Sequence, residues 1–169
     1  EIVIDEEQVE APPRRFRTIE NALVFLDRTL IPGGQTVTLR VAPRDGVHNE
    51  PTPIRLVHRN SRHIQIVGHQ PEAGQACDPS LVAIRVPDGQ DGVVLMEGGQ
   101  LGALRCLRLL STEAAGNIGV RLEKQGFVDL EDVEITGFAY GVHASLGSTV
   151  AGRRTIVNGG CAFAAERGS

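Results

Sequence analysis

Apolar and polar residues alternate along most of this chain, and only one stretch follows helical spacing. Alternation is plain at Val37, Leu39 and Val41, again at Ile64 and Ile66, and most persistent from Gly92 to Ser169. In that last region one phrase recurs: Gly92-Val93-Val94-Leu95, Gly119-Val120-Arg121-Leu122, Gly141-Val142-His143-Ala144 and Gly160-Cys161-Ala162-Phe163. Its glycines are 27, 22 and 19 residues apart, and the segments 101–110, 127–136 and 149–158 between them also align. Alternation marks a strand with one buried face. A repeat of this length with no long helical pattern marks a solenoid. The helical stretch is 16–30, where Phe16, Ile19, Ala22, Leu23, Leu26 and Leu30 share one face. Thr18 suits its N-cap, Glu20 suits the first turn, and Pro32-Gly33-Gly34 stops it.

Taken in order, the pattern predicts a leader over 1–14 holding the strand-like Ile2-Val3-Ile4, a poorly ordered terminus. Strands follow over 37–42, 54–58, 64–68 and 81–86, with loops over 43–53 and 69–79. The expected fold is all-β: a single-stranded, right-handed parallel β-helix over 15–169, with a capping α-helix over 16–31 and coils over 35–169. Stacking the phrases puts Val93, Val120, Val142 and Cys161 in one inner column, and Leu95, Leu122, Ala144 and Phe163 in the next. Between them Leu104 stacks on Leu130, Leu107 on Val133, and Leu109 on Ile135 and Val157. Outside, Arg105, Glu131 and Arg153 form one column of alternating sign, and Arg108 sits over Glu134; such cross-strand pairs help fix register. An amphipathic helix is the usual cover for the open end of such a stack. The last coil has no cap, so another protomer, a partner or further chain is expected to cover it; the chain reads as a piece of a longer protein.

Composition narrows the function. The 169 residues suffice for one domain, and the 20 glycines with a 4% aromatic share suit a chain that bends every few residues. A net charge of -4 with no polybasic block argues against nucleic acid, and no apolar run approaches a membrane span. Three widely spaced cysteines form neither a disulfide framework nor a metal-ligand pattern. Cys106 and Cys161 read as small core hydrophobes and Cys77 as a loop residue.

Phe16-Arg17-Thr18-Ile19-Glu20-Asn21-Ala22-Leu23, followed by Val37-Thr38-Leu39-Arg40-Val41-Ala42 and Gly46-Val47-His48-Asn49-Glu50, resembles the opening of pectin-lyase-like β-helix proteins. The Gly-Val repeats, with Ile135-Thr136-Gly137-Phe138-Ala139-Tyr140-Gly141-Val142 and Gly147-Ser148, resemble the β-helix of bacteriophage tail fibres and tailspikes. Together these cover most of 15–169. The resemblance implies a scaffold rather than one reaction, since this fold serves lyases, esterases, epimerases and non-enzymatic fibres. Where pectin methylesterases carry two catalytic Asp and an Arg on later coils, Gln90-Asp91 here has no partner pattern, and no acidic column matches the calcium site of pectate lyases.

Candidate chemistry is sparse. Glu97 with Glu123, and Asp129 with Asp132, are the carboxylate pairs to test against the two-carboxylate requirement of glycosidases. They read as solvated strand faces, with Asp129 beside Ala103 and Glu131 pointing out from the same strand. His48, His58, His63, His69 and His143 match no zinc spacing, there is no G-x-S-x-G, and Glu97-Gly98-Gly99 lacks the context of a phosphate loop. The saccharide-contact candidates are Arg121, Phe138, Tyr140 and His143, expected together around one turn. The expected function is a carbohydrate- or receptor-binding structural module of a phage-type tail fibre, spike or related particle. It would attach to cell-surface polysaccharide, as a homotrimer or docked to other fibre proteins, in a virion tail or extracellular setting. No catalytic residue, metal or cofactor is expected, nor nucleic acid or membrane insertion. The alternatives are a polysaccharide-active lyase, glycosidase or esterase, and a purely structural adaptor.

Overall fold

A computed structural model describes residues 1–5, 12–57, 61–68, 76–112 and 117–166. The chain is predominantly β, and its strands form one large, curled, all-parallel sheet of thirteen strands. The strands are β1 (Ile2–Ile4), β2 (Arg15–Phe16), β3 (Val37–Val41), β4 (Val47–Asn49), β5 (Ile54–Arg55), β6 (Ile64–Val67) and β7 (Ala83–Arg85). There follow β8 (Val93–Leu95), β9 (Gln100–Leu110), β10 (Ile118–Leu122), β11 (Phe127–Ser145), β12 (Thr149–Arg153) and β13 (Ile156–Glu166). The single α-helix among the described residues, α1, is Ile19–Asp27.

Pairing sorts the strands into three columns. The first runs β2, β1, β3, β6, the start of β9, the start of β11 and β12. The second runs β4, β7, the end of β9, the middle of β11 and the start of β13. The third runs β5, β8, β10, the end of β11 and the rest of β13. From β3 onward each turn of chain therefore visits the columns in sequence and lies one rung beyond the last, a solenoid-like arrangement. In β11 one unbroken strand passes through all three.

Inward residues stack rung on rung. Leu39, Ile66, Leu104 and Leu130 are in register and fully buried. Ile84, Leu109 and Ile135 continue the second column, Val93, Val120 and Val142 the third. The column expected for Leu95, Leu122 and Ala144 is present, as are Leu104 on Leu130, Leu107 on Val133, and Leu109 on Ile135 and Val157. Burying one such side chain is worth about 1.5–3 kcal/mol, so the columns dominate stability.

The recurring glycine has a packing cause. A Cβ on Gly92 would lie 2.6 Å from Leu109 Cδ2; one on Gly119 would strike Ile135, and one on Gly141 would strike Val157. Leu109, Ile135 and Val157 are themselves one stacked column. Each bulky residue of the second column thus occupies the space where the third column begins, and only hydrogen fits there. The corners between third and first columns repeat another device. Glu97-Gly98, Lys124-Gln125 and Leu146-Gly147 all have positive φ, from 51° to 80°, the backbone of a tight two-residue turn of I′ type.

Several expectations change. Helix α1 is shorter than 16–30: Thr18 does cap it, accepting from the Asn21 N–H at 3.1 Å, but Phe16 belongs to β2 and Leu30 is 81% exposed. The helix ends before Leu30, and the turned chain points Ile31 inward instead, 3% exposed. The N-terminal Ile2–Ile4 is a paired strand between β2 and β3, with Ile4 fully buried. Strand β4 lies inside the expected loop 43–53. The last rung is registered differently from the phrase alignment: Val142 faces Phe163, not Cys161, and Ala144 faces Ala165. Gly137, at φ 84°, forms a bulge that shifts the register between Thr136 and Phe138, so Gly160 sits against Ala139 rather than Gly141.

The cysteines also differ. Cys77 and Cys106 form a disulfide across 29 residues, leaving Cys161 free. Cys106 is buried but stands at the corner between the first and second columns, at φ 56°, outside the apolar core. Wide spacing hid the pair because stacking, not sequence proximity, brings the two together.

Candidate functional site

Helix α1 packs against β1, β2 and β5, the first rungs of the stack. A buried carboxylate anchors it: Glu50, 4% exposed, accepts from the Ile19 N–H at 2.8 Å and the Glu20 N–H at 3.3 Å. A carboxylate at a helix N-terminus satisfies orphan N–H groups and meets the favourable end of the dipole. His48, also buried, donates from Nε2 to the Ala42 carbonyl at 2.6 Å and heads the apolar column above Ile84. Both residues are thus structural. Between α1 and β5 lies an open groove of about 220 Å³, floored by Leu23, Val24, Leu56 and Val57 with Glu20 and Arg55 beside them.

The four saccharide-contact candidates separate. Arg121 on β10 and His143 on β11 are register partners on adjacent rungs of the third column. Tyr140 lies three residues upstream in β11, 42% exposed. Phe138 is fully buried, so its ring packs in the core and is closed to a ligand. Both aromatics lie within the continuous β11 rather than in a turn.

Alternation turns Arg121 and His143 outward, since Val120, Leu122, Val142 and Ala144 point in. Arg121 Nε pairs with Asp91 Oδ2 at 3.1 Å, and Asp91 Oδ1 accepts from the Ile118 N–H at 2.9 Å. Asp91 therefore ties two rungs together and orients the guanidinium. His143 Nε2 stands 3.5 Å from Glu166 Oε1, while its Nδ1 is shielded from solvent and has no hydrogen-bond partner. Asp91 was readable as a contact from the stack: it precedes Gly92, one rung from Gly119, which places it beside Ile118.

The carboxylate candidates are held by cations. Glu97 pairs with Lys124 at 3.9 Å, on the next corner, rather than facing Glu123. Asp129, expected beside Ala103 without a partner, reaches Arg105 at 3.7 Å. Glu131 pairs with Arg105 at 3.1 Å and also with Arg153 and Arg154. The expected column Arg105, Glu131, Arg153 and the pair Arg108 over Glu134 are both in register. Asp132, at φ 52°, meets Arg154, at φ 50°, in the corner column that begins with Cys106. The Arg154 hydrogen bond holds the Asp132 carboxyl below its usual range, and Asp132 in turn raises the guanidinium.

His63 closes a short 3-10 turn and faces Arg62 at 3.3 Å, while His58 and His69 lie outside the described residues. Among the described residues no group of three His, Cys, Asp or Glu is placed to hold a metal, and no helix is long and apolar enough to cross a membrane. No protein-family model matches the chain, and neither a curated protein nor a solved structure matches it.

Proposed function

We propose that the chain is a right-handed parallel β-helix serving as a carbohydrate- or receptor-binding structural module, of the kind found in phage-type tail fibres and spikes, attaching to cell-surface polysaccharide. A general preference supports the handedness: parallel crossovers within one sheet are right-handed in about 98% of cases. The observation that carries the binding reading is the exterior of the third column. There Arg121 and His143 stand on adjacent rungs, with the exposed Tyr140 three residues upstream of His143 in β11. The condition of the carboxylates weighs against hydrolysis. Asp129, Glu131 and Asp132 are engaged with arginines and Glu97 with a lysine, whereas glycoside hydrolysis needs two carboxyl groups facing across a bond.

A glycan array with the purified chain tests the reading. Hits that weaken in Tyr140→Ala and His143→Ala support it; an array without hits leaves a structural adaptor. Depolymerisation of any bound glycan would replace the module with an enzyme. A light-scattering mass of three chains would support a trimeric fibre, and a mass of one chain would remove it.

A further inference from the structure

We propose that the open edge of β5, with the groove between it and α1, docks an extended peptide strand of a partner protein, one that alternates apolar residues with polar ones and carries basic side chains. In the first column β3 is preceded by two further rungs, β1 and β2, both added in parallel. In the third column no strand precedes β5 among the described residues, and its one strand partner is β8. The helix α1 lies near it instead, and the groove stays open between the two.

The backbone of β5 shows which groups are left over. The Ile54 N–H donates to the Gly92 carbonyl at 2.9 Å, and the Leu56 N–H to the Val94 carbonyl at 3.2 Å. Alternation turns the N–H groups of Arg55 and Val57 to the other side, and neither donates to a group among the described residues. An exposed row of this kind is a template for another strand. Pro53, without an N–H, ends the donor row upstream.

Side chains select what the strand carries. The groove encloses about 220 Å³, with Leu23 and Leu56 as its buried floor. At its mouth Val24 is 55% exposed and Val57 74%. A strand laid on β5 covers both valines and sets alternate side chains on the apolar floor. Glu20 and Asp27 also line the groove, seven residues apart on α1, which is about 10 Å along the helix axis. Neither makes an ion pair among the described residues, nor does Arg55 opposite them. Two carboxylates thus stand against one guanidinium. The occupant's residue beside Arg55 is then neutral, and the residues two positions to either side are basic. Those two lie about 13 Å apart in an extended strand, which suits long side chains reaching the two carboxylates.

Fluorescence anisotropy tests this with the whole chain and a labelled, end-capped peptide, Val-Lys-Val-Thr-Val-Lys-Val. The peptide is expected to bind, and to weaken at least about tenfold when its lysines become glutamates. Methylating the alternate backbone nitrogens that face β5 should abolish binding, whereas methylating the other set should not. Asp27→Lys keeps a cation in the last helical turn, where the dipole favours it, and should weaken the peptide about tenfold. Val57→Pro removes an edge donor and should abolish binding, and amide exchange at Arg55 and Val57 should slow in the complex. If Val57→Pro fails to fold, the methylated peptides and amide exchange carry the test. Equal affinity for the lysine and glutamate peptides, equal affinity for the two methylated sets, or no binding at all overturns the inference. A light-scattering mass of two chains that falls to one in Val57→Pro gives the edge to a second copy and likewise overturns it.

Discussion

Replacing Gly119 by alanine probes the packing rule at its tightest. The added methyl group would strike Ile135 and the Gly141 carbonyl oxygen, and would approach Phe138 Cδ2 to 3.3 Å. Two of these neighbours, Ile135 and Phe138, are fully buried core residues, and the third is backbone in a paired strand. None can move without disturbing the rung beyond. Overpacking of this kind costs about 1–3 kcal/mol, at the upper end when backbone is struck. Losing a glycine also reduces the entropy of the unfolded chain, offsetting about 0.4–1 kcal/mol. The net expectation is a loss of about 2 kcal/mol, which lowers Tm by about 4–8 °C in a domain of this size. Gly152 is the control: it lies in β12, and a Cβ there meets nothing within 4 Å. Gly152→Ala should melt at or slightly above the parent. Thermal unfolding followed by far-UV circular dichroism gives both values. If Gly119→Ala melts within a degree of the parent, the glycine column is not set by the Leu109, Ile135 and Val157 side chains.

Three further outcomes are expected. Leu122→Asp, which buries a charge in a fully enclosed position, should abolish cooperative unfolding, whereas Arg121→Ala on the outer face should shift Tm by no more than a degree or two; a calorimetric scan separates the two. Reducing the Cys77–Cys106 bond, or substituting both residues by serine, should lower stability by about 2–4 kcal/mol, measured as the denaturant midpoint with and without reductant. Asp132 has a folded pKa below the unfolded value of about 3.9, so its contribution is present above that value and is lost as pH falls through the folded one. The Tm difference between the parent and Asp132→Asn should therefore be largest near neutrality and close on acidification below about pH 4; a constant difference across that range would contradict it.

Much of the fold was legible because stacking leaves a double trace. Inner residues such as Leu104 and Leu130 repeat in hydrophobicity, and outer ones such as Arg105, Glu131 and Arg153 repeat in alternating charge. Where both traces run together, the register is correct. It fails in the last rung, where Gly160-Cys161 imitates the Gly-Val phrase and no outer charge pair checks it. The bulge at Gly137 is invisible to periodicity, since one unpaired residue alters register without altering composition. Strand β4 was hidden by its shortness, and the disulfide by the distance of its partners along the chain. At the candidate site the pairing of Arg121 with His143 follows directly from the repeat. The burial of Phe138 does not, because an aromatic next to a glycine bulge reads equally well as a turn residue. The contacts of Asp91 emerge only when neighbouring rungs are laid side by side.

Strand β11 has a consequence for how the molecule comes together. Its nineteen residues are flanked by β9 and β10 on one side and by β12 and β13 on the other. Every partner is reached by a loop of about one turn of chain, so closing each contact costs little more entropy than the one before. Structure can then spread from β11 in both directions, like ordering along a one-dimensional lattice. The same geometry makes length a free variable. A duplicated turn inserted beside β11 would meet the faces it already matches, glycine against leucine and arginine against glutamate, and would lengthen the outer ladder by one step without redesigning any other rung.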